Sequence, residues 1–414
     1  MNAEIIAVGS EMLTPERVDT NSLFLTGELN TLGVEVVLKA VVGDHLERLG
    51  DSIRGAVSRS EILILSGGLG PTEDDLTREA VAQALGRKLV FHPEIAEAIE
   101  ARFARMKRKM AEVNKRQAYV VEGAEILPND RGTAPGQWIE ESGRFIVLLP
   151  GPPHELKAMY ERQVGPRLAR VVPKQVIRTL EMRVAGMPES DLDQLISPVY
   201  KKYENPATTI LAAPGDIQVH LRARASTEAE GDALLAEVAG PIGQLLGDRI
   251  YSRNGDPLEA VVGNLLRAAQ ATVSVAESAT GGMLGGRITA VPGSSDYFAG
   301  GFITYNNQMK TELLGVDPEI LRLFGAVSEQ AAEAMAAGAR RRTRSTFALS
   351  VTGVAGPDAG GESAPVGTMY VGLADASAIR VLHRQFLGDR ARVRSFVVQM
   401  ALDLLRRRLM RIDG

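Results

Sequence analysis

Apolar positions in the first third of the chain come in short unbroken runs, separated by stretches where they recur every three or four residues. Residues 5–8, 34–42 and 62–65 read as strands. Asp19, Thr20, Asn21 and Ser22 supply capping groups ahead of Leu23, Phe24, Leu25, Leu29 and Leu32, which fall near helical spacing, and Gly33 fits the stop. After the third strand, SGGLGPTEDDLTREAVAQALG predicts a turn at Pro71 and Thr72, then a helix over about 73–85 that Gly86 closes. A charged helix is predicted near 94–115, then a Gly/Pro-punctuated segment, then a strand at 146–149 running into PGPPHE. Alternation of strand and helix predicts an α/β layer with a mostly parallel sheet.

From about 170 to 250 the pattern becomes α+β, with strands at 176–184 and 217–225 and helices in AGMPESDLDQLISPVY and TEAEGDALLAEVAGPIGQLL. NGDP at 254–257 reads as a junction, with Asp256 capping and Pro257 in the first turn of the next helix. That helix spans 258–269. Strands follow at 272–276, 346–351, 368–373 and 379–386, and a basic amphipathic helix closes the chain. Three domains are expected, at 1–168, 169–254 and 255–414.

Composition narrows the chemistry. Of 414 residues, 45% are hydrophobic and 24% charged, and the formal charge of −4 offers no general affinity for nucleic acid. Cysteine is absent, which excludes disulfides, thiolate metal sites and a cysteine nucleophile. Five scattered histidines form no H-x-x-x-H pair. The N-terminus has no basic start or long apolar run, and no stretch approaches the roughly 20 apolar residues of a membrane span, so a cytoplasmic protein is expected.

In the last domain, Ser278 lies in ESATGG just past a strand, Ser294 and Ser295 form a polar loop, and YNNQMK brings Tyr305, Asn306 and Lys310 together. A Gly-rich loop, TGVAGPDAGGESAPVG, begins at Thr352 and Gly353. In open α/β sheets ligands bind beyond the carboxyl ends of strands. Each piece also has an ordinary reading as a turn, a helix cap or a solvated lysine. Together they permit a serine nucleophile with a desolvated lysine as its base. The amides of Gly281 and Gly282 could stabilise an oxyanion, and helix N-termini could hold a phosphate.

AESATGG, GSSDYFAGGFITYNNQMK, GAVSEQAAEAMAAGAR and TGVAGPDAGGESAPVGTMYVGLA closely resemble the C-terminal domain of the CinA family, over nearly all of 257–412. The resemblance implies an amidohydrolase that converts nicotinamide mononucleotide to nicotinate mononucleotide and ammonia without a cofactor. It implies Ser278 as nucleophile and Lys310 as base, supported by Tyr305, Thr280 and Thr352, with Arg390 at a phosphate. Ala279 fills a slot where the family commonly has cysteine, and the Gly-rich loop lacks the family's more acidic, Lys-containing form.

In the first domain, Gly67, Gly68, Gly70 and Thr72 resemble a phosphate loop without its G-K-[ST] ending. Glu73, Asp74 and Asp75 follow near a helix start. They are either caps or, with Glu11 and Asp44 past other strand ends, oxygen ligands for a hard divalent cation such as Mg2+. Residues 1–165 resemble the family's molybdopterin-binding-like domain through VDTNS, GGLGPTEDDLT, NKRQA, GTAPG and LPGPPHE. That implies a metal-dependent ADP-ribose pyrophosphatase giving AMP and ribose 5-phosphate, with Asp75 functional. MLTPERVDTNS departs from the commoner run before VDTNS. Residues 170–250 resemble the family's KH-like domain, without a clear G-x-x-G clamp, so RNA binding is not expected. The family suggests a homodimer. Two other readings stay open: a non-catalytic pterin or nucleotide module at the N-terminus, and a competence or DNA-damage accessory protein.

Overall fold

The structure, a computed structural model, describes residues 1–359 and 363–412. Part of the Gly-rich loop, residues 360–362, therefore lies outside the described residues. The chain divides into two compact units, Met1–Ile177 with Arg224–Gly231, and Arg178–Ala223 with Asp232–Gly414.

The first unit is built on strands β1 (Asn2–Val8), β2 (Glu35–Val42), β3 (Ile62–Ser66), β6 (Glu125–Leu127), β7 (Gly136–Glu141) and β8 (Arg144–Leu149), with a separate ribbon of β4 (Leu89–Phe91) and β5 (Tyr119–Val121). The six-stranded order is β2-β1-β3-β8-β7-β6, parallel from β2 to β8 and antiparallel beyond. Alternate residues feed opposite cores. Ile5, Ile64 and Val147 pack with Leu25 and Leu29 on one face. Ile6, Leu63, Leu65 and Ile146 pack with Leu49 and Ile53 on the other. Burial on both faces is why these strands read as continuous apolar runs. The helix expected near 73–85 begins at Thr77, because 67–76 form the loop. The helix expected over 94–115 stops at Arg105, and a 3-10 turn covers Glu112–Ala118.

The second unit holds two sheets. Strands β9 (Val176–Val184), β10 (Ala207–Ala213), β11 (Asp216–Ala225) and β12 (Ile250–Ser252) pair in the order β10-β11-β9-β12, with two helices, Glu189–Tyr200 and Glu228–Leu246, contributing to one apolar core. Pro257 proves to be the cap of the next helix, Leu258–Ala268, and Asp256 instead accepts from Asn254. Strands β13 (Val273–Glu277), β14 (Phe298–Ile303), β15 (Phe347–Gly353), β16 (Thr368–Ala374) and β17 (Ile379–Gln385) follow, in the order β14-β13-β15-β16-β17. Val273, Val275, Leu349 and Val351 face one core with the helix Arg390–Leu409. Ala276 and Ala348 face the other, with Leu314 and Met335. No helix among the described residues is long and apolar enough to cross a membrane.

Candidate active site

In both mixed sheets the parallel strands change direction at the first strand. In the second unit β13 is followed in sequence by its neighbour on one side, β14, and then by its neighbour on the other, β15. Such a reversal opens a crevice at the carboxyl ends, where open α/β sheets bind ligands. Ser278 is the first residue past β13 and sits at that point, its amide donating to the Val351 carbonyl of β15 at 2.9 Å.

Strand periodicity decides which way Ser278 faces. It lies two residues beyond Ala276, on the face packed by Leu314 and Met335. Leu314 ends the helix Asn307–Leu314, and Lys310 is one turn earlier on the same side. The layer that pairs Ala276 with Leu314 thus continues as a layer that pairs Ser278 with Lys310. Lys310 Nζ lies 3.3 Å from Ser278 Oγ, with Lys310 only 1% and Ser278 9% exposed. Asn306 positions this helix as its N-cap, accepting from the Met309 amide at 2.8 Å.

Glu277 controls the turn that follows. Its carboxylate is 1% exposed and accepts from three backbone amides, Gly282 at 3.0 Å, Leu284 at 3.1 Å and Gly285 at 2.8 Å. The Gly281 amide donates to the Ser278 carbonyl at 3.0 Å. The expectation that Gly281 and Gly282 line an oxyanion hole is therefore corrected: both amides are engaged, and a carboxylate already occupies the helix start. Gly281 and Gly282 are instead needed for left-handed backbone, at φ 54° and 95°.

Other expected site residues divide. Tyr305 is 61% exposed, and its hydroxyl accepts from Arg390 Nη2 at 2.8 Å, while Arg390 Nη1 donates to the Gly356 carbonyl at 2.7 Å. Arg390 thereby joins YNNQMK to the Gly-rich loop. Thr352 is buried, and its hydroxyl donates to the Ala326 carbonyl at 2.7 Å, so it shapes the loop rather than facing a ligand. Gly353 is the last residue of β15, where a side chain would meet the Thr368 carbonyl at 2.5 Å. Thr280 is fully buried, and its carbonyl accepts from Arg394. Ser294 and Ser295 belong to a 3-10 turn ahead of β14, at the opposite end of the sheet from Ser278. Within this chain they do not join the site. The sequence reading missed Glu277 and Arg394. Glu277 is a charged residue ending an apolar strand, and Arg394 lies one helical turn beyond Arg390.

In the first unit the reversal lies between β1 and β3. The glycine loop sits at its mouth. Gly67 and Gly68 take φ 107° and 64°, and a side chain on Gly67 would lie 2.3 Å from the Val8 carbonyl. Arg78, buried and held below its ordinary pKa chiefly by desolvation, pins the loop through the carbonyls of Leu69 at 2.7 Å and Gly70 at 2.9 Å. Asp75 Oδ2 accepts from the Thr72 amide at 2.8 Å and hydroxyl at 2.6 Å, and a side chain on Gly70 would strike the same oxygen. Asp44 accepts from the Ser10 amide at 2.7 Å, and Glu11 curls back over Gly9. These acids share a sheet edge, yet among the described residues no three Asp, Glu or His side chains converge as metal ligands. Asp75 serves its own turn and Asp44 is tied to the turn at Ser10, so these two with Asp74 and Glu11 do not fit a protein-only metal cage.

Comparison with known proteins places these sites in context. The chain matches the family models of a probable molybdopterin binding domain over 4–170, the damage-inducible protein CinA KH domain over 179–252, and the CinA C-terminal domain over 255–409. A CinA-like protein of Solibacter usitatus is 75% identical over 409 residues, spanning 99% of this chain and 98% of its own. A CinA-like protein of Koribacter versatilis is 48% identical, spanning 99% and 100%. A putative competence-damage inducible protein of Caldicellulosiruptor saccharolyticus is 41% identical, spanning 98% and 99%.

Proposed function

Because this chain belongs to the CinA family, with a molybdopterin-binding-type α/β domain, a KH-type α+β domain and a CinA C-terminal α/β domain, we propose that its last domain is a serine amidohydrolase acting on nicotinamide mononucleotide. The observation that carries this reading is the 3.3 Å approach of Lys310 Nζ to Ser278 Oγ in a buried layer at the sheet's crevice. A lysine amine in its neutral form can take a hydroxyl proton. The separation is just beyond the roughly 2.6–3.2 Å of an engaged base, a looseness usual before substrate binds. In the reaction Ser278 Oγ attacks the carboxamide carbon while its proton passes to Lys310. Lys310 returns that proton to the nitrogen as the C–N bond breaks and ammonia leaves. Water then hydrolyses the acyl-serine, with Lys310 again the base. Arg390, joined to Tyr305 and the Gly-rich loop, is the cation available to the substrate phosphate.

Ammonia release from nicotinamide mononucleotide tests the reading. Ser278→Ala and Lys310→Ala should each abolish it while the fold persists. Near-parental turnover in either variant, or recovery of Lys310→Ala at raised pH alone, would overturn the assigned role.

A second reading concerns the first domain, where the glycine loop at the sheet's reversal suits a nucleotide phosphate. We infer cleavage of ADP-ribose to AMP and ribose 5-phosphate there, and expect AMP to appear when the protein is incubated with ADP-ribose. Tight binding without AMP would instead mark a non-catalytic nucleotide or pterin module.

A further inference from the structure

Thr304 extends the catalytic layer. Strand β14 pairs with β13 through Ala276↔Phe302 and Glu277↔Ile303, and the Thr304 amide continues the ladder to the Glu277 carbonyl at 2.7 Å. Thr304 is therefore the register neighbour of Ser278, as Thr352 is on the β15 side, where Glu277 pairs with Val351. A register shift in β14 sets its facing. Val273 pairs with Phe298 but Ser274 with Gly300, so one extra residue turns the rest of the strand over. Phe298 packs into the core behind the sheet, whereas Phe302 packs against the cluster of Leu314 and Met335. Thr304, two residues beyond Phe302, faces the same side as Ser278 and the Lys310 helix.

Three hydroxyls thus stand in a row across neighbouring strand ends. Thr352 gives its hydroxyl to Ala326, and Ser278 is engaged with Lys310. Thr304 is fully buried, and its hydroxyl has no hydrogen-bond partner among the described residues. A buried hydroxyl left unpaired is costly, so such a group is normally satisfied by a water or a ligand.

Resting on the amidohydrolase reading, we propose that Thr304 forms the leaving-group subsite: its Oγ1 holds the carboxamide nitrogen during acylation and the hydrolytic water during deacylation. One position serves both because the water must enter along the path by which ammonia leaves. In the first half-reaction the nitrogen takes a proton from Lys310 and donates an N–H to Thr304. In the second, the water gives one proton to Lys310 Nζ and directs its other O–H at Thr304 Oγ1. Its oxygen bonds to the acyl carbon. The ester bond to Ser278 then breaks, and Ser278 Oγ takes the proton back from Lys310.

Thr304→Val keeps the shape and removes the hydroxyl, and Thr304→Ser restores it. For Val we expect kcat to fall about tenfold or more, KM to fall with it as acyl-enzyme accumulates, and a burst of one ammonia per site. Ser should recover most of the rate. A crystal structure of the parent should place a water within hydrogen-bond distance of both Thr304 Oγ1 and Lys310 Nζ, absent in the Val variant. Parental kcat in a folded Thr304→Val protein would overturn the proposal, as would a Thr304 hydroxyl bonded only to protein. Should the parent release no ammonia, the substrate reading fails, and the water position still decides the subsite.

Discussion

Glu277 carries more of the geometry around Ser278 than its neighbours in ESATGG suggest. A carboxylate with two oxygens takes three amide donors, and all three lie in the turn and helix directly after Ser278. It fixes where the turn goes and closes the helix start to any other anion. Under the proposed activity the substrate phosphate would then be met on the Arg390 side of the site. Glu277→Gln is nearly isosteric, but its amide NH2 cannot accept, so at least one buried donor loses its partner. We expect a loss of about 1–3 kcal/mol in stability. In a unit of this size that is a fall in Tm of about 2–4 °C per kcal/mol. Ammonia release should fall further than Tm alone accounts for, because Ser278 is displaced within the folded protein. Thermal denaturation and ammonia assays on the same preparation check this, and a variant with parental turnover would show that the turn holds itself.

Elements that bury both faces were the legible ones. β3, β8, β13 and β15 were expected within a residue or two, because a strand covered on each side must be apolar throughout. That was enough to put Ser278 beyond a strand end and Lys310 on a helix. Of the edge strands, β2 and β17 were legible, whereas β6, β10 and β14 were not. β14 has one open side, two glycines and a register shift, so neither an apolar run nor strict alternation marks it. Without β14 the facing of Thr304 could not be read, nor the separation of Ser294 and Ser295 from Ser278. Those serines precede β14 and Thr304 follows it, so the strand's length, at about 3.3 Å per residue, parts them from the site. The engagement of Gly281 and Gly282 was hidden for a different reason. A glycine pair states what backbone it permits but not which side chain will take its amides. The break after Arg105 left no trace either, since a charged helix and a charged loop have similar composition.

At the scale of the molecule, the second unit joins the KH-type and C-terminal domains through one helix. The head of Arg390–Leu409 reaches the site through Arg390 and Arg394. Its middle meets the β10–β11 hairpin, where a side chain on Gly215 would lie 2.9 Å from Gln399. Its tail places Arg406, fully buried, against the Asp248 carbonyl at 2.8 Å and Asp403 at 2.7 Å. Tyr251 of β12 adds an apolar ring to the C-terminal core while its hydroxyl donates to Asp216 at 2.6 Å. Two domains that share a helix and a core should unfold as one. Arg406→Met keeps much of the apolar stem but leaves the Asp248 carbonyl and Asp403 without their donor, for a cost of about 2–3 kcal/mol once the partial exposure of Asp403 is allowed for. Calorimetry should then show the transition of the KH-type and C-terminal domains moving down together. Limited proteolysis should open cleavage in 178–223 and 258–412 at the same temperature. Were only the KH-type segment to loosen while ammonia release kept its parental thermal profile, the helix would be a tether between independent domains, not a shared spine.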